Sequence, residues 1–104
     1  MTTTIETLKA LSNESRLQML QWLKSPHAYF TSAEFSSEAI DADGGVCVQA
    51  VVIKSGLAQS VVSSYLNSLK NAGLLEMKRT GKWTYYRYNT QAVADFLQQL
   101  ATIL

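Results

Sequence analysis

The sequence is short of the residue types from which many sites are built. Its 104 residues include one cysteine, one histidine and one proline. A single cysteine excludes a disulfide framework or an all-cysteine zinc site within one chain, which leaves Cys47 as a free thiol or a cross-chain partner. With 47% apolar and 16% charged residues, the composition is nevertheless that of a globular protein. We therefore expect residues 1–104 to form a single domain.

Long apolar runs are also lacking. No run approaches the roughly 18 residues needed to cross a bilayer, and the amino-terminal MTTTIETLKALSNES lacks the basic and apolar blocks of a signal peptide. These features predict a cytoplasmic protein with no membrane partner. The sequence also offers no nucleophile beside a base, no phosphate-binding glycine loop and no recognisable carboxylate pair, so we expect no catalytic residues and no cofactor.

The small net charge of +1 hides an uneven distribution of charge. Residues 1–45 carry three basic and six acidic side chains, whereas residues 46–104 carry six basic and two acidic ones. The basic half suits a polyanionic partner, although a solvated basic face is the simpler alternative.

Apolar spacing predicts five helices and one hairpin, a mostly α fold with a small β wing. The first helix ends near Ser12, and Asn13 caps the second helix, which stops before Pro26. A short third helix is predicted over residues 46–55, followed by Gly56 in a left-handed turn. The fourth helix extends to Ala72-Gly73 and the last begins at Asn89 or Thr90.

The fourth helix, within GLAQSVVSSYLNSLKNAGLL, has an unusually serine-rich outer face. Val62, Leu66 and Leu69 form its apolar stripe. Serine is a mediocre helix former, so its repeated use favours a contact surface over a merely solvated one. Short side chains that donate and accept hydrogen bonds suit base edges in the DNA major groove. The residues predicted to read DNA are Gln59, Ser60, Ser63, Ser64 and Asn67.

The segment LLEMKRTGKWTYYRYN predicts a β-hairpin around Thr80-Gly81 with a basic tip. Two helices joined by a glycine turn and followed by a basic hairpin are typical of a winged helix-turn-helix. The predicted DNA-backbone contacts are Lys70, Lys78, Arg79 and Lys82. The alternative is a winged helix whose serine-rich face binds a protein.

Three segments together resemble the ArsR/SmtB family of bacterial winged-helix repressors: LKALSNESRLQMLQWL, VCVQAVVIKSGLAQSVVSSYLNSLKNAGLL and KRTGKWTYYRYN. They cover most of the chain apart from residues 25–44 and the last helix. The resemblance implies a homodimeric repressor that binds double-stranded DNA at an inverted-repeat operator, since a two-fold protein matches a two-fold site. The family often has serine before the glutamine that opens its reading helix, whereas this chain has Ala58.

The resemblance also implies that the first and last helices pack across the two-fold axis. The last helix has an apolar stripe wider than one small core requires. The residues expected at the dimer interface are Ile5, Leu8, Leu11, Val93, Phe96, Leu97, Leu100 and Ile103.

Cys47 departs from the pattern of the arsenic-responsive members. Their Cys-Val-Cys motif reads Cys47-Val48-Gln49 here, and Gln49 is a poor ligand for a soft metal. The family's other familiar site pairs Asp and His on the last helix, which here holds Asp95 and no histidine. We therefore expect no metal site. Cys47 is open to three interpretations: a buried small hydrophobe, a redox- or electrophile-sensitive thiol, or part of an arsenic or metal sensor.

Residues 25–44 form an atypical acidic insertion, with four acidic and no Lys or Arg side chains. Such a long connection is either functional or simply solvated. A plain solvated insertion is one interpretation. The other is that Tyr29, Phe30 and Phe35 form an effector pocket or a partner contact.

Overall fold

The structure, a computed structural model, describes residues 3–104. Six helices and three strands occur within that range. In chain order they are α1 Thr4–Leu11, α2 Glu14–Lys24, α3 Pro26–Tyr29, β1 Val46–Cys47, α4 Val48–Ser55, α5 Gln59–Asn71, β2 Leu75–Thr80, β3 Trp83–Tyr88 and α6 Thr90–Ile103. The predicted class, mostly helical with a small β wing, is confirmed. None of these helices combines the length and apolar character that a membrane crossing needs.

The predicted count of five helices is wrong by one within residues 3–104. The additional helix is α3, a single turn that begins at Pro26. Proline lacks the amide that a continuing α2 would need, but it suits the first position of a new helix, where that amide has no partner. Pro26 thus ends α2, as predicted, and also begins α3.

The predicted third helix begins two residues too early. Val46 and Cys47 form β1, which pairs antiparallel with β3 through Val46 opposite Tyr86 and Cys47 opposite Tyr85. Apolar runs of this length suit either a helix or a buried strand, and here the free edge of β3 decided the outcome. The sheet order is β1-β3-β2.

Local signals at the other helix ends behave as predicted. The side chain of Asn13 accepts a hydrogen bond from the Arg16 amide, and that of Asn89 accepts one from the Ala92 amide. Gly56 ends α4 with φ 70°, a left-handed conformation that glycine adopts without steric cost. The turn it makes fixes the angle between α4 and α5.

The core lies between α2, α4, α5 and the sheet. Its most deeply buried side chains include Met19, Leu23, Val51, Val62, Leu66 and Leu69. The predicted apolar stripe of α5 is therefore confirmed. Burying this stripe fixes the rotation of α5 and turns its serine-rich face outward.

The insertion over residues 25–44 is only partly solvated. Phe30 and Ala39 are both 2% exposed and belong to the core. Ile40 forms a bridge with Val46, and the Cys47 amide donates to the Ala39 carbonyl at 2.9 Å. The interpretation of a plain solvated insertion is wrong for these residues, because the segment supplies core side chains and covers one edge of the sheet.

Candidate nucleic-acid interface

The outer face of α5 carries the residues predicted to read DNA. Gln59, Ser60, Ser64 and Asn67 are exposed, and Ser63 is partly exposed. None of the five is buried in the core, so the polar groups of their side chains are accessible from solvent.

The amino end of α5 lacks a side-chain cap. Ala58 occupies the capping position and makes no side-chain hydrogen bond there. A missing cap typically costs about 1 kcal/mol of helix stability. The first amides of α5 consequently form a site that an anionic oxygen can complete.

The hairpin of β2 and β3, here called the wing, has two chemically different faces. Alternate side chains of a strand point to opposite sides of the sheet. Arg79 and its cross-strand partner Thr84 line a cavity of about 320 Å³ that α4 and α5 also line. Lys78 and Arg87 line a separate cavity beside the acidic insertion.

We call the cavity of about 320 Å³ the wing cleft. It brings together four of the predicted DNA-contacting residues: Gln59, Ser63, Arg79 and Lys82. Its remaining lining residues are Val48, Gln49, Met77, Trp83, Thr84 and Tyr86. The cleft thus joins the polar face of α5 to two cations of the wing.

Lys78 and Lys70 lie apart from the wing cleft. The Nζ of Lys78 is 2.9 Å from Oδ2 of Asp43 on the insertion. This hydrogen bond and the accompanying charge attraction raise the pKa of Lys78 and lower the pKa of Asp43. Lys70 is partly exposed in the last turn of α5. These two predicted backbone contacts therefore differ from Arg79 and Lys82 in their surroundings.

Two residues that were not predicted to contact DNA, Gln49 and Trp83, touch side chains that were. The Nε2 of Gln49 donates to Oε1 of Gln59 at 3.2 Å. The Lys82 ammonium lies 5.4 Å from the centre of the Trp83 ring, a cation–π distance. The first contact depends on the packing of α4 on α5, which the one-dimensional pattern does not encode, whereas the second joins neighbouring residues of the wing.

The residues expected at the dimer interface form two groups. Ile5, Leu8, Leu97 and Ile103 are exposed although they are apolar, with Leu97 58% and Ile103 65% exposed. Phe96 is buried, whereas Leu11 and Val93 pack against the core and Leu100 is partly exposed. The exposed group is concentrated on α1 and α6, which a hydrogen bond from Thr4 to Gln99 links within the chain.

Cys47 is a buried free thiol, 8% exposed. It lines a cavity of about 110 Å³ between the insertion, α4 and β3, here called the Cys47 cavity. Within residues 3–104, no cluster of three or more His, Cys, Asp or Glu side chains is arranged to hold a metal ion. The walls of the Cys47 cavity are mainly apolar.

The three aromatic residues singled out in the insertion do not form one pocket. Phe30 lies in the core and stacks edge-on with Phe35, at 5.4 Å between ring centres. Only Phe35 reaches the Cys47 cavity. The Lys54 ammonium lies within 6.0 Å of the rings of Tyr29, Phe30 and Phe35, and of Trp22. Lys54 thus attaches the insertion to α4.

The serine-faced helix, its preceding glycine turn and the paired strands define a winged helix-turn-helix protein. The chain belongs to the ArsR family of winged helix-turn-helix transcriptional regulators, as its relatives show. These relatives and neighbouring structures are regulators rather than enzymes. No family model matches the chain.

Two curated proteins and one solved structure illustrate the relationship. The chain is 48% identical over 98 residues to the uncharacterized HTH-type transcriptional regulator YbzH of Bacillus subtilis (strain 168), covering 90% of this chain and 94% of that protein. It is 31% identical over 102 residues to a Halobacterium salinarum protein named as an arsenical resistance operon repressor, ArsR2. This match covers 96% of this chain and 72% of that protein. The solution structure of a homodimeric winged helix-turn-helix DNA-binding domain, Mb0332 of Mycobacterium bovis, matches with a TM-score of 0.64 and 29% sequence identity. This match covers 94% of this chain and 76% of that domain.

Proposed function

We propose that the chain is a homodimeric repressor that binds an inverted-repeat operator and is released by an effector or redox signal. The observation that carries this proposal is the wing cleft, in which side chains predicted to read bases and side chains predicted to bind phosphate meet. An exposed polar helix placed beside two wing cations matches the two kinds of contact that specific DNA binding requires.

In this proposal the outer face of α5 enters the major groove. Gln59 makes a paired contact with adenine, while the serines and Asn67 contact base edges or phosphates. Phosphate oxygens also accept from the uncapped first amides of α5, which completes the helix end on DNA.

The wing and the end of α5 supply the phosphate contacts. Arg79 and Lys82 face the wing cleft and reach the backbone beside the groove. Lys70 contacts a phosphate from the last turn of α5. Lys78 can contact a phosphate only if it exchanges Asp43 for a phosphate oxygen. Its net electrostatic contribution to DNA binding is therefore smaller than that of Arg79 or Lys82.

Dimerisation buries the exposed apolar side chains of α1 and α6 around a two-fold axis. Four of the eight residues expected there are exposed in the single chain, two on α1 and two on α6. Their apolar surface is left over from the packing within the chain and is available to a partner. The homodimeric description of the Mycobacterium bovis domain supports dimerisation as such. A two-fold dimer then presents two α5 helices to two half-sites.

The experiment that tests the repressor proposal is selection of genomic DNA fragments on purified protein at about physiological salt. Enrichment of one inverted repeat, with a reporter gene repressed through it, is the expected result. Fragments without a shared sequence would contradict the operator proposal and would favour the alternative in which α5 contacts a protein.

The name of the Halobacterium relative makes arsenic a second candidate signal. Arsenite generally requires three thiolates, whereas each chain supplies one buried thiol, Cys47. We therefore propose that arsenite does not release the repressor. Cys47 remains available for an oxidant or electrophile that reaches it through the Cys47 cavity.

A further inference from the structure

Two residues form a wall shared by the Cys47 cavity and the wing cleft. Gln49 and Trp83 line both spaces. Each also contacts a predicted DNA-binding side chain: Gln49 is hydrogen-bonded to Gln59, and Trp83 lies against Lys82. A molecule that displaces either wall residue must therefore disturb the DNA-facing side.

The Cys47 cavity has the form of a small-molecule site. Its mainly apolar walls come from three separate parts of the chain, with Phe35 and Ala39 on the insertion, Ala50 and Ile53 on α4, and Trp83 on the wing. The cavity is partly open to solvent, and Ile53, one of its lining residues, is 52% exposed. The insertion therefore closes a space that α4 and the wing alone would leave open.

The lining also restricts the chemistry of the ligand. Among residues 3–104, Glu38 is the only charged residue that lines the cavity, and no Lys or Arg contributes. This excludes a preference for anions. A cavity of about 150 Å³ holds benzene, so the volume of about 110 Å³ with an open mouth suits a compact molecule of about six heavy atoms.

We propose that the Cys47 cavity binds a small, uncharged, apolar effector and that its occupation weakens DNA binding through Gln49 and Trp83. This inference rests on the proposed repressor function and specifies its signal. Thermodynamic reciprocity requires that DNA weaken effector binding by the same factor. Typical couplings between two sites change affinity by about 5- to 150-fold.

Fluorobenzene is a suitable probe, because it is compact, apolar and uncharged, and fluorine-19 NMR detects its binding directly. We expect wild-type protein to broaden and shift the probe resonance, and Ile53→Trp to abolish this effect by covering the mouth. Leu17→Trp is the matched control, because Leu17 is an exposed aliphatic residue on α2 outside both cavities. Thermal melts establish that both variants are folded. Absence of probe binding, or equal loss in both variants, would overturn the proposal.

Coupling is measured on the selected operator with and without saturating fluorobenzene. We expect the dissociation constant of the operator complex to rise at least fivefold in wild-type protein. Gln49→Ala should reduce the ratio of the dissociation constants with and without fluorobenzene by more than half, once the probe is saturating for that variant. An unchanged dissociation constant in the wild-type protein would refute the coupling.

The cavity can also be tested if no operator is found. In DNA-free protein, fluorobenzene should shift the side-chain amide resonances of Gln59, and Gln49→Ala should remove most of that shift. If the Gln59 resonances shift but no operator is found, the effector site is supported and the repressor proposal fails. If an operator is found but the probe does not bind, the repressor proposal is supported and the effector site fails. If the probe binds but the Gln59 resonances do not shift, the proposed coupling through Gln49 is refuted.

Discussion

The two wing lysines provide a sharp test, because they are four residues apart yet face opposite sides of the hairpin. Lys82 lines the wing cleft, whereas Lys78 is paired with Asp43. We expect Lys82→Gln to weaken operator binding and reduce its dependence on salt. We expect Lys78→Gln to have little effect on that dependence.

The magnitude follows from ion release. Each phosphate neutralised on duplex DNA contributes about 0.9 to the slope of log affinity against log salt, and a dimer has two wings, so Lys82→Gln should reduce the slope by about 1.8. While Lys78 stays paired with Asp43, it neutralises no phosphate and releases no condensed cation from DNA. Lys78→Gln should therefore change the slope by less than about 0.5.

The assay is fluorescence anisotropy of labelled operator between about 50 and 200 mM salt, the range over which phosphate contacts have large effects. Sequence preference is measured in parallel against a scrambled duplex. Equal changes of slope for the two variants would refute the assignment of the two wing faces. Loss of sequence preference in Lys82→Gln would show that the wing reads bases.

The remaining predictions concern reading, stability, dimerisation and arsenic. Gln59→Ala should relax specificity at one position of each half-site while the salt slope stays nearly constant, as measured by binding to a library of operator variants. Leu66→Ala should lower the free energy of unfolding by about 2–5 kcal/mol in urea titrations, because Leu66 is fully buried; a smaller loss would contradict its place in the core. Leu97→Asp should yield a folded monomer in sedimentation velocity, whereas Leu17→Asp should stay dimeric; a dimeric Leu97→Asp would remove α6 from the interface. Arsenite should leave both the thiol absorbance of Cys47 and operator binding unchanged, and release of DNA would refute our exclusion of it.

The elements that could be predicted from sequence are those fixed by local chemistry. Asn13, Gly56 and Asn89 mark helix ends because their side chains or backbone freedom act within a few residues. Val62 and Leu66 reveal the buried side of α5 by their spacing, and this also determines which residues face outward. The fold class and the composition of the outer face of α5 follow from these local rules.

The features that could not be predicted depend on contacts between distant segments. Cys47 is in a strand because an edge of β3 is free to pair with it. The Gln49–Gln59 hydrogen bond requires the final packing of α4 on α5. Lys78 resembles Arg79 in sequence, but strand alternation directs the two to opposite faces. Sequence identifies the charges of the wing without identifying their neighbours.

The acidic insertion gives the wing its electrostatic asymmetry. Its backbone is fixed to the sheet by the Tyr85 hydroxyl, which donates to the Glu38 carbonyl at 3.0 Å. This attachment holds Asp43 beside Lys78 on the side away from the wing cleft. Both cations on that side are already paired, Lys78 with Asp43 and Arg87 with Glu76. Arg79 and Lys82 on the cleft side are therefore the wing cations that we expect to attract phosphate. The same segment encloses the Cys47 cavity, so a shift of the insertion would alter the effector site and the charge on the wing together.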